Sequence, residues 1–112
     1  MNGITRADAK LEVSVGWADL LDKVYDYLET FPQEPGGEIY IIEVKEKWGG
    51  LRIYTSEAPD AVFHFLLAIE AESFTVCEFC GKPGRPRATG WIKTMCQQCF
   101  EEYVNQRKGM PV

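Results

Sequence analysis

Apolar side chains at Trp17, Leu20, Leu21, Val24, Tyr25, Leu28 and Phe31 recur at steps of three and four, while Asp19, Asp22, Lys23, Asp26 and Glu29 fill the other positions. That period predicts an amphipathic helix over about 16–31, ending where Pro32 removes a backbone donor. Just upstream, Leu11, Val13 and Val15 alternate, which predicts a short strand. Pro35, Gly36 and Gly37 make a loop. A β-rich run over 39–44 then leads through Lys45-Glu46-Lys47-Trp48 to Gly49 and Gly50, which permit positive φ, and 51–55 returns. Residues 38–56 therefore read as a β-hairpin. Pro59 and Asp60 open a second helix over about 60–73, with Ser56 or Pro59 close to its cap. Val62, Phe65, Leu66 and Ile69 lie on one side of it, with Glu70 and Glu72 solvated near its end. Packed over one face of the hairpin, its large side chains would contribute on the order of 10 kcal/mol before conformational entropy is subtracted.

The remaining third of the chain carries a different signal. All four cysteines fall there, as two C-x2-C pairs, Cys77/Cys80 and Cys96/Cys99. In a reducing compartment such pairs are poor candidates for disulfides, and the spacing matches a four-thiolate zinc template. Four soft, negatively charged sulfurs saturate one Zn²⁺ and leave no position for substrate water, so the ion would be structural. A redox dithiol or four buried free thiols are the alternatives, and neither pair follows a strand–helix thioredoxin pattern. Cys77-Glu78-Phe79-Cys80-Gly81 has the form of a zinc knuckle, 84–95 reads as a short hairpin, and the second pair opens a helical stretch from Phe100 to Lys108. Knuckle, hairpin and ligand-bearing helix in that order are the parts of a treble-clef finger. The fold class is thus α+β: a small α-β-β-α part over 1–76 with a C-terminal treble-clef-like finger over 77–112 packed on it as one folding unit.

Composition bounds what these parts can do. At 112 residues and 46% hydrophobic content, the chain suits one globular domain and is too short for two independent cores. The formal charge of −5 discourages long-range attraction to nucleic acid or anionic membrane. That charge is unevenly divided. Residues 1–76 hold six Lys/Arg against fourteen Asp/Glu, a net of −8, and residues 77–112 hold six against three, a net of +3. No apolar run is of membrane-spanning length and the polar start has no signal-peptide stretch, so the expectation is a soluble chain in the cytoplasm.

Two surfaces are candidates for partners. On the first hairpin, Lys45, Lys47, Trp48, Arg52 and Tyr54 form a basic, aromatic-edged set able to meet a phosphate or a carboxylate-rich partner. The alternative is cross-strand pairing with Glu43 and Glu46 around a turn that needs its glycines. On the finger, Lys82, Arg85, Arg87 and Lys93 beside Trp91 offer a nucleic-acid surface, against the alternative of a solvated hairpin offsetting an acidic neighbour. His64, the single histidine, has no nucleophile partner in the sequence, and there is no P-loop, dinucleotide motif or paired acid/base pattern. The expectation is that the chain is not an enzyme.

Taken together, Gly16-Trp17 opening the helix, the run Val44-Lys45-Glu46-Lys47-Trp48-Gly49-Gly50-Leu51-Arg52-Ile53-Tyr54, the knuckle Cys77-Glu78-Phe79-Cys80-Gly81-Lys82-Pro83-Gly84, and Gly90-Trp91-Ile92-Lys93-Thr94-Met95-Cys96 carry a resemblance. The chain resembles a group of small bacteriophage, prophage and bacterial proteins whose hairpin usually reads K-E-K-F-G-x-L-R-F-Y. Here Trp48 and Ile53 occupy the aromatic positions, and Cys99 stands where that group often has histidine. The resemblance implies a phage setting, hence host cytoplasm, and no particular activity. The sequence as a whole points to a non-enzymatic zinc-binding protein that acts on a host or phage protein as an inhibitor or modulator, for instance of a defence or transcription complex. A nucleic-acid-binding regulator using the basic finger hairpin is the second reading.

Overall fold

A computed structural model describes residues 3–31 and 38–108 of the chain; the loop expected at Pro35, Gly36 and Gly37 lies outside them. The fold is α+β, with four α-helices and two separate two-stranded antiparallel sheets among the described residues. In chain order these are α1 (Arg6–Ala9), a 3-10 turn (Val15–Trp17), α2 (Ala18–Thr30), β1 (Ile41–Lys47), β2 (Gly50–Thr55), α3 (Asp60–Ser73), β3 (Arg85–Thr89), β4 (Trp91–Met95) and α4 (Gln97–Lys108).

The helix read from the three-and-four period is α2, with Trp17, Leu20, Leu21, Val24 and Leu28 buried along one side. Its acidic face is held by the chain start. Arg6 donates to Asp22, Asp26 and Glu29 at 2.8–3.1 Å, and Lys10 reaches Asp22 at 2.8 Å. The cluster of carboxylates holds the Arg6 guanidinium firmly charged, above its ordinary range, chiefly through Asp26.

The strand expected at Leu11, Val13 and Val15 does not form. Thr5 caps the four-residue α1 by accepting from the Asp8 amide, and the amides of Lys10, Leu11 and Glu12 bond back to Arg6, Asp8 and Ala9. With the Leu11 and Glu12 amides spent on local turns the segment does not enter a ladder, and Leu11 and Val15 point outward at 82% and 74% exposure. The Thr5-Arg6-Ala7-Asp8 pattern is the sequence signal for this short helix.

β1 and β2 pair with Val44 opposite Ile53, Lys45 opposite Arg52 and Glu46 opposite Leu51. A register irregularity between Ile41 and Glu43 leaves Ile42 exposed. The turn departs from expectation: positive φ falls on Trp48 (55°) and Gly49 (84°), not on Gly50. Positive φ at both central residues is what a two-residue hairpin turn of type I′ requires. Gly50 is needed for another reason, because a Cβ there would sit 2.5 Å from the Phe74 ring.

α3 covers the hairpin from the β2 side. Val62 and Ile69 are buried, Ser73 Oγ accepts from the Leu51 amide at 2.9 Å, and the Phe65 ring stacks on Tyr27 of α2 at 3.9 Å. Pro59 stands at the N-cap position with no side-chain cap. Ser56 is engaged elsewhere, its hydroxyl accepting from the Tyr40 amide and donating to the Glu38 carbonyl.

The cysteine-bearing segment meets this core at a seam formed by Gly16 and Trp17. Trp17, fully buried, donates its indole N–H to the Val76 carbonyl at 2.9 Å, and the Gly16 amide donates to Glu78 at 2.8 Å. A Cβ on Gly16 would fall on the Cys77 carbonyl oxygen and within 2.6 Å of that of Glu78. Backbone against backbone at that distance cannot be relieved by a rotamer change. Gly16→Ala is therefore expected to cost about 2–4 kcal/mol, and Trp17→Phe, which orphans the Val76 carbonyl, about 1–2 kcal/mol, both read from denaturant melts.

Candidate metal centre

Two local turns deliver the four sulfurs. Residues 77–80 form a tight turn closed by the Gly81 amide on the Cys77 carbonyl at 2.9 Å, with Gly81 at a φ of 82°. A Cβ at Gly81 would also press to 3.2 Å of the Gly16 carbonyl, so glycine serves both the turn and the seam. The second pair opens α4. Cys96 stands just before Gln97, and its Sγ accepts from the Cys99 amide at 3.3 Å, the position of an N-cap side chain. Cys99 follows within the first turn.

All four Sγ atoms lie within 4.8 Å of one another, with Cys80 and Cys96 3.6 Å apart. No pair is near the ~2.05 Å of a disulfide. Metal–sulfur bonds of about 2.3 Å in a tetrahedron put sulfurs about 3.8 Å apart, so the cluster needs only slight contraction to hold one ion. Cys77 and Cys96 are buried, Cys99 is half-buried and Cys80 is exposed. The Cys99 amide, at the helix N-terminus, draws the Cys96 thiol down to about 7. Burial, followed by the neighbouring sulfurs, pushes the Cys99 thiol well up. Four thiolates so close cannot all ionise without a cation among them, and the cluster has the geometry and donor chemistry to hold a metal ion.

Beside this cluster the second hairpin pairs β3 with β4, Arg87 opposite Lys93. The basic residues do not share one exposed face. Arg87 is only 9% exposed: Nε donates to the Met95 carbonyl at 3.2 Å, Nη1 to Gln97 at 3.3 Å, and the guanidinium lies 4.6 Å from the centre of the Phe100 ring. It ties the hairpin to α4. Lys93 turns toward Glu78 (3.5 Å) and Glu46 (3.9 Å). Lys82, Arg85 and Trp91 remain exposed.

Glu78, which sequence reasoning passed over, is a buried carboxylate between two ligand positions, and it accepts from the Thr94 amide at 3.1 Å. Burial pushes its pKa up, opposed by that amide and by Lys93. Thr94 in turn donates its hydroxyl to the Gly49 carbonyl at 2.6 Å, locking the first hairpin's turn against β4.

The residues singled out on the first hairpin are divided between two places. Lys45 pairs with Glu43 at 3.4 Å and lies 5.4 Å from the Tyr54 ring centre, while Glu46 accepts from the Gly49 amide at 2.7 Å. Arg52 and Tyr54 line a groove of about 430 Å³ between β2 and α3. Lys47 and Trp48 line a second groove of about 260 Å³ with Trp91, Ile92 and Lys93. The two tryptophans, read from sequence as parts of different surfaces, thus border one groove where the hairpins meet. His64 is exposed, beside Phe63. Among the described residues no helix is long and apolar enough to cross a membrane.

The chain as isolated should carry one metal ion, with its thiols slow toward a disulfide reagent. Chelation should expose all four thiols and lower the melting temperature, and Cys96→Ser should expose its remaining three and lower the melting temperature without chelator; a fully folded, metal-free chain with four freely titrating thiols would contradict this.

Neither family models, curated proteins nor solved structures match this chain, so its chemistry is argued from its own residues.

Proposed function

We propose that this chain is a non-enzymatic zinc-binding protein in which a treble-clef-like finger fixes a contact surface for a protein partner. Zn²⁺ is the ion that four thiolates in a tetrahedral set suit best, and with all positions taken by sulfur its role is structural. The hairpin and finger motifs suggest a phage-related setting, in which the partner is a host or phage protein that the chain inhibits or modulates.

The observation that carries the reading is the groove at the hairpin junction. Trp48 is 57% exposed and Trp91 72% exposed, and tryptophan is the residue type most enriched at energetic centres of interfaces. Trp48 also adopts φ 55°, a conformation that costs a bulky side chain about 1 kcal/mol or more and persists only where surrounding bonds impose it. Here the Glu46 bond to the Gly49 amide and the Thr94 bond to the Gly49 carbonyl impose it. A strained, exposed tryptophan has no evident use in the folded core, and a partner that buries it supplies one. The nucleic-acid reading is weaker because Arg87 and Lys93, half of its four cations, are turned inward.

Trp48→Gly separates the two roles. Glycine relieves the positive φ, so the melting temperature should hold or rise, while capture of a stoichiometric partner protein from host lysate should be lost. Trp91→Ala should weaken capture as well, and Lys82→Ala with Arg85→Ala should leave it intact. Binding instead to DNA or RNA, with affinity falling steeply as salt rises and weakening in the Lys82/Arg85 variant, would replace this reading with the nucleic-acid one.

A further inference from the structure

The β2–α3 groove is unconnected with the junction on which the proposed function rests, and it carries its own signature. α3 is apolar on more sides than the core uses. Val62 and Ile69 face inward, yet Phe63 and Leu67, one turn apart, stand 52% and 50% exposed on its outer side. Opposite them Tyr54 is 42% exposed, and the space between is the groove of about 430 Å³. A surface helix ordinarily turns charged residues outward at such positions.

The charges sit at the ends. Glu57 and Asp60, both exposed, interleave with the lining residues Ser56, Ala58 and Pro59 at the start of α3. Glu70 lines the other end. Arg52, the one cation in the lining, lies 3.6 Å from Glu70 and is already matched by it. From Asp60 to Glu70 the helix advances about 15 Å, so the groove is an apolar trough about three turns long with the carboxylates of Glu57 and Asp60 at one end and the Arg52–Glu70 pair at the other.

We infer that this groove docks a cationic amphipathic helix of a partner protein, with apolar residues at i, i+3 and i+4 against Phe63, Leu67 and Tyr54 and Lys or Arg at the end that lies beside Glu57 and Asp60. A second copy of this chain fits poorly. Arg6, Lys10, Lys23, Lys45 and Arg52, five of the six cations of residues 1–76, are held in ion pairs, so that part brings little positive charge to the acidic end. Two chains of net −5 also repel at long range.

The test uses the metal-loaded full chain and a synthetic Leu/Lys amphipathic helix of about 14 residues, with a Leu/Glu counterpart as control. Fluorescence anisotropy should show saturable binding of the Leu/Lys peptide only, with backbone amide shifts confined to 52–70. Phe63→Ser with Leu67→Ser should weaken it about tenfold or more while leaving the melting temperature within a few degrees, since both side chains are half exposed. Glu57→Gln with Asp60→Asn should reduce its salt dependence, and Trp48→Gly should leave it unchanged, which distinguishes this site from the junction. The inference is overturned by absence of binding, by equal affinity for the Leu/Glu peptide, or by equal affinity in the Phe63/Leu67 variant. A dimer in sedimentation that this variant dissociates would overturn it too, by making the face a self-interface.

Discussion

The close approach of Gly16 and Trp17 to the turn at 77–81 is the constraint on which the rest of the molecule depends. It admits no side chain at Gly16, spends the indole N–H of a fully buried tryptophan on the Val76 carbonyl, and places Gly81 against the Gly16 backbone. The residue that opens the main amphipathic helix is thereby the same residue that seats the first cysteine pair. Neither half can shift without disturbing the other: sliding the turn breaks the bond from Gly16 to Glu78, and Glu78 in turn holds the β4 amide of Thr94. The hydrophobic core and the sulfur cluster are successive layers of one packed arrangement, with Glu78 and Thr94 between them.

The uneven charge of the chain takes on a structural meaning in this arrangement. Most of the cations in the acidic part are consumed locally, Arg6 and Lys10 on α2, Lys23 on Glu72 and Arg52 on Glu70. In the cysteine-bearing segment, Arg87 works as a strut between β4 and α4, and Lys93 pairs with two carboxylates, Glu46 of the first hairpin and Glu78 of the turn at 77–80. Positive charge here mostly holds elements together. Large exposed aromatic and aliphatic side chains border both grooves, Trp48 and Trp91 at one, Phe63 and Leu67 at the other.

Local signals made much of this legible in the sequence. The period of Trp17 to Phe31 and the β-rich runs flanking Gly49 located α2 and the first hairpin, because each pattern is set by which face must be buried. The two C-x2-C pairs pointed to the cluster because ligand spacing is a property of a short turn. Alternation at Leu11, Val13 and Val15 misled, since three residues cannot distinguish a strand from a chain wrapping past a helix end, and the capping pattern at Thr5 was the better guide. Placing positive φ at Gly50 misled for a different reason: glycine answered a contact with Phe74 there, and Trp48 took the strained angle under tertiary bonds. The inward turn of Arg87 and Lys93, and the meeting of Trp48 with Trp91, depend on how two hairpins distant in sequence pack together. No short-range pattern encodes that.

Cys96 is at once a sulfur of the cluster and the cap of α4. A twelve-residue helix with low intrinsic burial is marginal in water without a fixed first turn. The cap provides that turn, and Cys99 within it provides the second anchor. Nucleation of the last helix is consequently a chemical event more than a conformational one: the step that organises the sulfurs also fixes the first turn, and propagation toward the C-terminal end follows from it.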